Sequence, residues 1–304
     1  MPKLYFIHFF LAYSKKKYYL CTRFCVFWLI MAEKHLIFRS FGSGSTGNCY
    51  YLGTEDQGIL IDAGISAREI HNCLRAMKLD FTNIMGVLVT HDHADHIRSV
   101  GRLGEHIHIP IYTTAAIHAG IDRNYGVTLK LKTARRFFDK GQPFELFGMQ
   151  INTFGVSHDS TDCLGYSIDY MGERFVLITD CGTPNDQIEE AIRTANHLVI
   201  EANHDEQMLL NGPYPTYLKE RILSDRGHQS NDTCGELLAR NYHEGLRHIF
   251  LCHLSQENNE PALAVDTVTQ YLESVGAVIG DGNNGTVLLR ALERKEPSPL
   301  YILK

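Results

Sequence analysis

The chain has 304 residues, of which 44% are hydrophobic and 21% are charged, and its formal net charge is −6 at pH 7. This composition excludes a disordered chain and allows a sizeable buried core. The net negative charge also disfavours a protein that binds nucleic acid along an extended basic surface.

Residues 1–30 differ in composition from the rest of the chain. They hold ten of the 31 aromatic residues, five Lys or Arg and no acidic residue, so the remainder carries a formal charge of −11. Their apolar runs are shorter than the roughly 20 residues of a membrane span, and they lack the pattern of a secretory signal. We expect residues 1–30 to be a non-native N-terminal extension, with the start at Met31 and one domain over residues 31–304.

The spacing of the cysteines indicates the cellular compartment of the protein. All eight are scattered along the chain without a C-x-x-C pair. In a chain of this length, that distribution predicts reduced thiols and a cytoplasmic protein without membrane contact.

Strands alternate with helices from Met31 onward. Strands are predicted at residues 35–41, 48–52, 59–62, 87–90, 109–112, 150–154, 165–169, 175–179, 197–201, 249–252, 278–280 and 286–289. Helices are predicted at residues 67–77, 95–101, 184–194, 216–224, 232–242 and 261–274. This order predicts an α/β (α+β) fold in which helices cover sheets.

Four ionisable residues lie at the end of a predicted strand or directly after one, namely Asp62, His91, Asp180 and His253. Loops at strand ends are common places for catalytic groups in layered folds. We therefore expect these four side chains to belong to one site.

The densest cluster of metal-binding side chains is the segment HDHADH at residues 91–96. In a tight loop, His91 and His93 can point to one ion while Asp95 and His96 point to a second. Imidazole nitrogen and carboxylate oxygen suit zinc, manganese or iron. The alternative is a solvated polar turn, which the buried strand leading into the segment disfavours.

This segment resembles the H-x-H-x-D-H signature of the metallo-β-lactamase-fold hydrolases. Further motifs of that family are matched in chain order over about residues 35–290, and the resemblance implies a four-layer αββα sandwich. It also implies two divalent metal ions. The implied ligands are His91, His93, Asp95, His96, His158, Asp180 as the bridging carboxylate, and His253, while Asp62 orients the metal-binding loop.

Two later motifs narrow the range of reactions that the protein could catalyse. Glu201 and His228 lie in segments that resemble those of transfer-RNA 3′-processing enzymes, where the glutamate orients a histidine that donates a proton to the leaving group. The alternative is a strand-end carboxylate and an unrelated loop histidine. Only 51 residues follow His253 and 72 separate it from Asp180, so we expect neither the added domain of glyoxalase II-type thioesterases nor that of β-CASP nucleases.

The opening segment at residues 40–50 resembles the first hairpin of the bacterial YycJ (WalJ) subfamily, which is associated with 5′-exonuclease activity on duplex DNA. Its glycines also suit an ordinary tight turn. Substrate contacts are predicted from Arg226, Asn48 and the helix start at Ser230 and Asn231, whose backbone amides favour an anion.

The resemblance therefore implies a dinuclear phosphodiesterase that acts on DNA through a hydroxide shared by the two ions, with Asp95 orienting that hydroxide. Because the chain is acidic, we expect weak, salt-dependent binding of duplex DNA ends, and a DNA-repair partner protein could load it. Two alternatives stay open. One is a hydrolase of small thioesters, lactones or cyclic phosphates, and the other is a metal-binding regulatory module.

The composition of residues 1–30 generates a first prediction. A chain that begins at Met31 should keep the melting temperature and the phosphodiesterase activity of the full chain, because every motif lies after that residue. Thermal denaturation and hydrolysis of a p-nitrophenyl phosphodiester would measure both. A large loss in either would show that residues 1–30 take part in the fold.

Overall fold

The computed structural model of the protein describes residues 35–304. The expected extension over residues 1–30 lies outside the described residues. Within them, Leu36–Lys304 form one compact unit, and the helices there are too short or too polar to cross a membrane.

Two seven-stranded sheets organise the chain. The first has the order β14-β1-β2-β3-β4-β5-β6, and the second has the order β13-β12-β11-β10-β9-β8-β7. The strands of the first sheet are β1 (Leu36–Gly42), β2 (Cys49–Gly53), β3 (Gly58–Ile61), β4 (Ile84–Leu88), β5 (Ile111–Thr113), β6 (Arg135–Phe137) and β14 (Tyr301–Leu303). Those of the second are β7 (Phe144–Leu146), β8 (Met149–Gly155), β9 (Leu164–Tyr170), β10 (Glu173–Ile178), β11 (His197–Glu201), β12 (His248–Cys252) and β13 (Leu288–Ala291).

Nine α-helices and one 3₁₀ turn (Phe81–Asn83) connect these strands in the described part of the chain. The helices are α1 (Ala67–Ala76), α2 (Ala94–Ile97), α3 (Val100–Glu105), α4 (Ala115–Arg123), α5 (Asp186–Thr194), α6 (Glu206–Asn211), α7 (Thr216–Ile222), α8 (Asn231–Asn241) and α9 (Pro261–Ser274). Side-chain caps begin several of them. Ser66 caps α1 together with Glu69, and Ser230 accepts a hydrogen bond from the Thr233 amide at the start of α8.

The layers follow from the two-residue period of the central strands. Along β12, Phe250 packs between the sheets, whereas Ile249 and Leu251 pack on the opposite face with residues of α5, α8 and α9. The rings of Phe38 and Phe250 meet across the two sheets, with centroids 4.9 Å apart. Helices α1, α3 and α4 pack on the first sheet. The four-layer αββα sandwich expected from the sequence is therefore confirmed.

Several predicted elements differ from those observed. The predicted helix at residues 95–101 is broken into α2 and α3 at Ser99, whose hydroxyl donates to the Ile65 carbonyl. The predicted strand at residues 278–280 is only an isolated bridge between Ile279 and Val287. Helices α4 and α6 and the three-residue strands β6, β7 and β14 were not predicted, because elements this short contain too few hydrophobic periods to stand out from the surrounding sequence.

Candidate metal centre

The strand topology brings the ionisable residues to one edge of the sandwich. Strands β3 and β4 are parallel, as are β10, β11 and β12, so their carboxyl ends point the same way within each sheet. Asp62 and His253 follow directly after β3 and β12, and Asp180 lies two residues after the end of β10. The φ angles of Asp62, Asp180 and His253 are 60°, 49° and 53°. This left-handed backbone is uncommon outside glycine. It turns the chain sharply where each of these side chains leaves the sheet.

A first group of possible metal ligands consists of His91, His93 and His158, which offer ligand atoms within 4.8 Å of one another. His93 Nδ1 lies 3.2 Å from His158 Nε2. His91 is fully buried, and burial, together with the nearby His96, holds its pKa well below the usual range. The neutral imidazole is the form that binds a metal ion.

A second group consists of Asp95, His96 and His253, again with ligand atoms within 4.8 Å. Asp180 lies between the two groups. Its Oδ2 is 3.1 Å from His96 Nε2, and its Oδ1 is 3.3 Å from His253 Nδ1 and 3.7 Å from His158 Nε2. Burial alone would raise the pKa of Asp180, but the rings of His253 and His96 hold it well below its ordinary value. The Asp180 carboxylate is therefore ionised, and it can bind a cation held by either group.

Asp62 is fully buried beneath the metal-binding loop. Its Oδ1 accepts a hydrogen bond from the Thr90 amide at 2.8 Å, and its Oδ2 accepts from Thr90 Oγ1 and from His96 Nδ1 at 2.8 Å and 2.7 Å. Thr90 Oγ1 is also 3.0 Å from His91 Nδ1. Asp62 and Thr90 thus fix the orientation of two imidazoles, a function of Thr90 that the sequence analysis missed.

Glu201, the last residue of β11, is fully buried and accepts four hydrogen bonds. Its Oε1 accepts from His228 Nδ1 at 2.8 Å and from His253 Nδ1 at 2.9 Å, while Oε2 accepts from the Cys181 and Gln229 amides. Burial alone would raise its pKa, but His228 and His253 lower it to about 2. Burial would likewise lower the pKa of His228, yet Glu201 raises it. The pair therefore favours a protonated His228.

The donor set fits divalent metal ions. His91 Nε2 and His253 Nε2 are buried and have no hydrogen-bond partner. Because buried polar atoms are nearly always paired, imidazole nitrogens left free among carboxylates indicate a cation site. A further set of possible ligands combines Asp180, Glu201, His228 and His253, so His228 can be read as a ligand as well as a proton donor.

The four predicted substrate contacts occupy different environments. Asn48 is fully buried, with its Nδ2 2.9 Å from His96 Nε2, and Asn231 is fully buried against Asn259. Neither presents a free group to substrate. Ser230 caps α8 and also donates to Glu206, and the Arg226 guanidinium donates to the His158 carbonyl at 2.9 Å. These side chains support the walls of the site.

An ion pair at the rim of the site was also missed. Asp159 lies 3.4 Å from His158 Nε2 and 3.7 Å from His93 Nε2, and it accepts from both Nε and Nη2 of Arg221. The sequence signal that could have identified Asp159 was its position directly after His158. The pair joins the first metal-binding group to α7, which is 62 residues further along the chain.

Comparisons with known proteins agree with this geometry. A family model described as the beta-lactamase superfamily domain matches residues 57–249. The exodeoxyribonuclease YycJ of Bacillus anthracis is 35% identical over 247 residues, which are 81% of this chain and 92% of that protein. The exodeoxyribonuclease WalJ of Streptococcus pneumoniae is 32% identical over 250 residues, 82% and 93% of the two chains. The metallo-beta-lactamase fold protein YhfI of Bacillus subtilis has a TM-score of 0.61 at 17% identity, covering 88% of this chain and 99% of that chain.

The chain therefore belongs to the metallo-β-lactamase superfamily and is a metal-dependent hydrolase of that class. Within the superfamily, it belongs to the family of the YycJ and WalJ proteins.

The position of Asp180 between the two groups generates a second prediction. Asp180→Ala should lower the divalent metal bound per chain, because it removes the carboxylate that both groups share. Elemental analysis of gently purified protein would measure this. Asp169→Ala is the matched control, since Asp169 pairs only with Arg174 on β10, away from the metal-binding groups. Full metal content in Asp180→Ala would remove Asp180 from the ligand set.

Proposed function

We propose that the protein is a dinuclear phosphodiesterase that degrades duplex DNA from its ends, with 5′-exonuclease polarity. The observation that carries this proposal is the Glu201–His228 pair beside the metal-binding groups, since a positioned proton donor is what a poor leaving group such as a sugar hydroxyl needs. Two relatives at 35% and 32% identity bear the name exodeoxyribonuclease, which supports the same substrate.

The proposed metal ligands are His91, His93 and His158 for one ion and Asp95, His96 and His253 for the other, with Asp180 shared. Zinc or manganese suits these donors, and iron is also compatible. When bound, two such ions lower the pKa of water and neutralise charge on the phosphate.

The chain itself positions the reactants and moves the proton. The Asp95 carboxylate can accept a hydrogen bond from the attacking water and so orient it towards phosphorus. His228 Nδ1 is held by Glu201, which leaves Nε2 as the ring nitrogen that can reach the departing oxygen. The pKa of His228 is raised, so the proton is available there. After transfer, the Glu201 carboxylate still fixes the ring for reprotonation by solvent.

The surroundings suggest where the protein works and how it meets DNA. The six cysteines of the described residues are free and buried, which supports a cytoplasmic location. The acidic charge of the domain opposes the phosphate backbone, so we expect weak binding, few phosphate contacts and strong dependence on salt. A DNA-repair protein that delivers duplex ends would compensate for this weakness.

The third prediction tests the substrate. With Mn²⁺ or Zn²⁺ at low salt, the protein should shorten a linear duplex from its ends, and label at the 5′ end should be released first. A covalently closed circular duplex is the control and should stay intact. If linear duplex DNA is untouched while a thioester or lactone is hydrolysed quickly, the small-molecule alternative replaces the nuclease proposal.

The fourth prediction separates the two histidines that share Glu201. His228→Ala should keep its metal and lose turnover on DNA by roughly 10²–10⁴-fold, the usual contribution of a general acid. The loss should be smaller on p-nitrophenyl phosphodiesters, whose leaving group needs no proton. His253→Ala is the comparison variant, because it removes the other ring held by the same carboxylate oxygen and should lose metal. Loss of metal from His228→Ala would instead make His228 a ligand.

A further inference from the structure

A pocket of about 250 Å³ opens beside His228. Its walls come from the loop after β10, the segment from β11 to the start of α6, the segment between α7 and α8, and the first turn of α8. His204 and Gln229 lie in these walls. His228 is the one residue that both lines this pocket and belongs to the possible metal-binding sets of the described residues. The ring therefore stands between the pocket and the metal centre.

Two buried polar side chains in the pocket wall lack partners. His204 and Gln229 are each 1% exposed. Neither ring nitrogen of His204 makes a hydrogen bond, and neither does Gln229 Oε1, although Gln229 Nε2 lies 3.2 Å from Cys181 Sγ. Such groups cost free energy unless they are paired. Both residues belong to the wall of this pocket, so a polar group bound deep in the pocket would pair with them.

The orientation of His228 shows which part of a substrate would enter. Its Nδ1 is held by Glu201, so its other nitrogen faces the leaving oxygen in the proposed reaction. The fragment attached to that oxygen must then lie on the His228 side of the phosphate, where the pocket opens. We propose that this pocket binds the terminal nucleoside of the DNA strand, which is the leaving group, and that it limits each cleavage to one nucleotide.

The proposal rests on the nuclease function given above, and its chemistry balances. Water forms a new bond to phosphorus and releases one proton to solvent. The bond between phosphorus and O3′ of the terminal nucleotide breaks, and O3′ takes a proton from His228. The released nucleotide carries a 3′-hydroxyl, the shortened strand keeps the phosphate on its new 5′ end, and His228 regains its proton from solvent.

The size and polarity of the pocket fit a nucleoside. Its volume of about 250 Å³ lies below the range of about 300–1,000 Å³ for drug-sized ligands, so it has room for one small unit. The carboxylates of Glu206 and Asp225 line it, and Lys and Arg do not. Hydroxyl groups of Thr183, Ser224 and Ser230 complete the wall. This lining suits the uncharged sugar and base better than a terminal phosphate.

Two variants test the pocket. Ser224→Phe should fill it, and Ser274→Phe is the matched control, because each serine is exposed near a helix end and donates to the carbonyl three residues earlier. His204→Phe removes the unpaired nitrogens while keeping a ring, and no hydrogen bond within the protein is lost. Both pocket variants should therefore keep the melting temperature of the unmodified chain.

Thymidine is the probe, and ligand-observed NMR with the zinc-loaded protein measures its binding. His204→Phe should weaken binding by about tenfold, the effect expected for the loss of one or two hydrogen bonds. Ser224→Phe, which fills the pocket, should weaken binding at least as much, while Ser274→Phe should not. The unmodified protein should release mostly mononucleotides, and Ser224→Phe should slow that release more than it slows hydrolysis of bis(p-nitrophenyl) phosphate.

The outcomes separate the two proposals. If DNA is degraded from its ends but thymidine does not bind, or His204→Phe binds it as well as the unmodified protein does, the pocket proposal is wrong and the nuclease proposal stands. Release of mainly longer oligonucleotides would overturn the pocket proposal in the same way. If thymidine binds in the pocket but duplex DNA is not degraded, the nuclease proposal fails and the nucleoside site remains.

Discussion

The site depends on one buried carboxylate, that of Asp180. An unpaired charge removed from water costs several kcal/mol, and Asp180 is 2% exposed. The rings around it come from both sheets, because His96 follows β4 of the first sheet while His253 follows β12 of the second. Their distances of 3.1 Å and 3.3 Å to the carboxylate mean that the two sheets must pack in one relative position. The charge pattern of the site and the packing of the sandwich are thus mutually dependent.

Glu201 extends this constraint from the metal-binding groups to His228, the proposed proton donor. Because Oε1 accepts from Nδ1 of both His228 and His253, each ring must present Nε2 on its far side. One ring then faces the metal-binding group with an unpaired nitrogen, and the other faces the pocket. A single carboxylate at the end of β11 thereby fixes the position of His228, the proposed proton donor, relative to His253 in the second metal-binding group. Such preorganisation removes the need to reorient groups during reaction.

The parts of the site that could be predicted from the sequence are those that depend on residues close together in the chain. The HDHADH segment, the strands that lead into Asp62 and Asp180, and the layered fold could all be predicted, because strand ends and short spacings are local. The environment of Asn48 could not be predicted in this way. It was predicted as a substrate contact, yet it is buried with its Nδ2 beside His96, 48 residues away. That contact depends on how a hairpin folds over the metal-binding loop.

Longer-range support is still less visible in the sequence. The His253 amide donates to Ser43 Oγ at 3.0 Å across 210 residues, so the glycine-rich turn after β1 holds the backbone of a possible metal ligand. The turn was interpreted from its resemblance and its glycines, whereas its serine carries this contact. The packing of the two sheets against each other brings Ser43 to His253, and no sequence pattern within either segment predicts that packing.

Under the proposed function, the rim of the site accounts for how an acidic domain could select DNA ends. Arg221 is paired with Asp159, and the Arg226 guanidinium donates to the carbonyls of His158 and Ser160. Both guanidinium groups are held by hydrogen bonds within the wall of the site. They contribute positive potential there, but they are not free to contact phosphates along a duplex. Attraction to phosphate is then local and weak, as the salt dependence of such contacts implies. Under the proposals made above, selection comes from what fits beside His228, because a small pocket can accept a strand terminus but not the interior of a duplex.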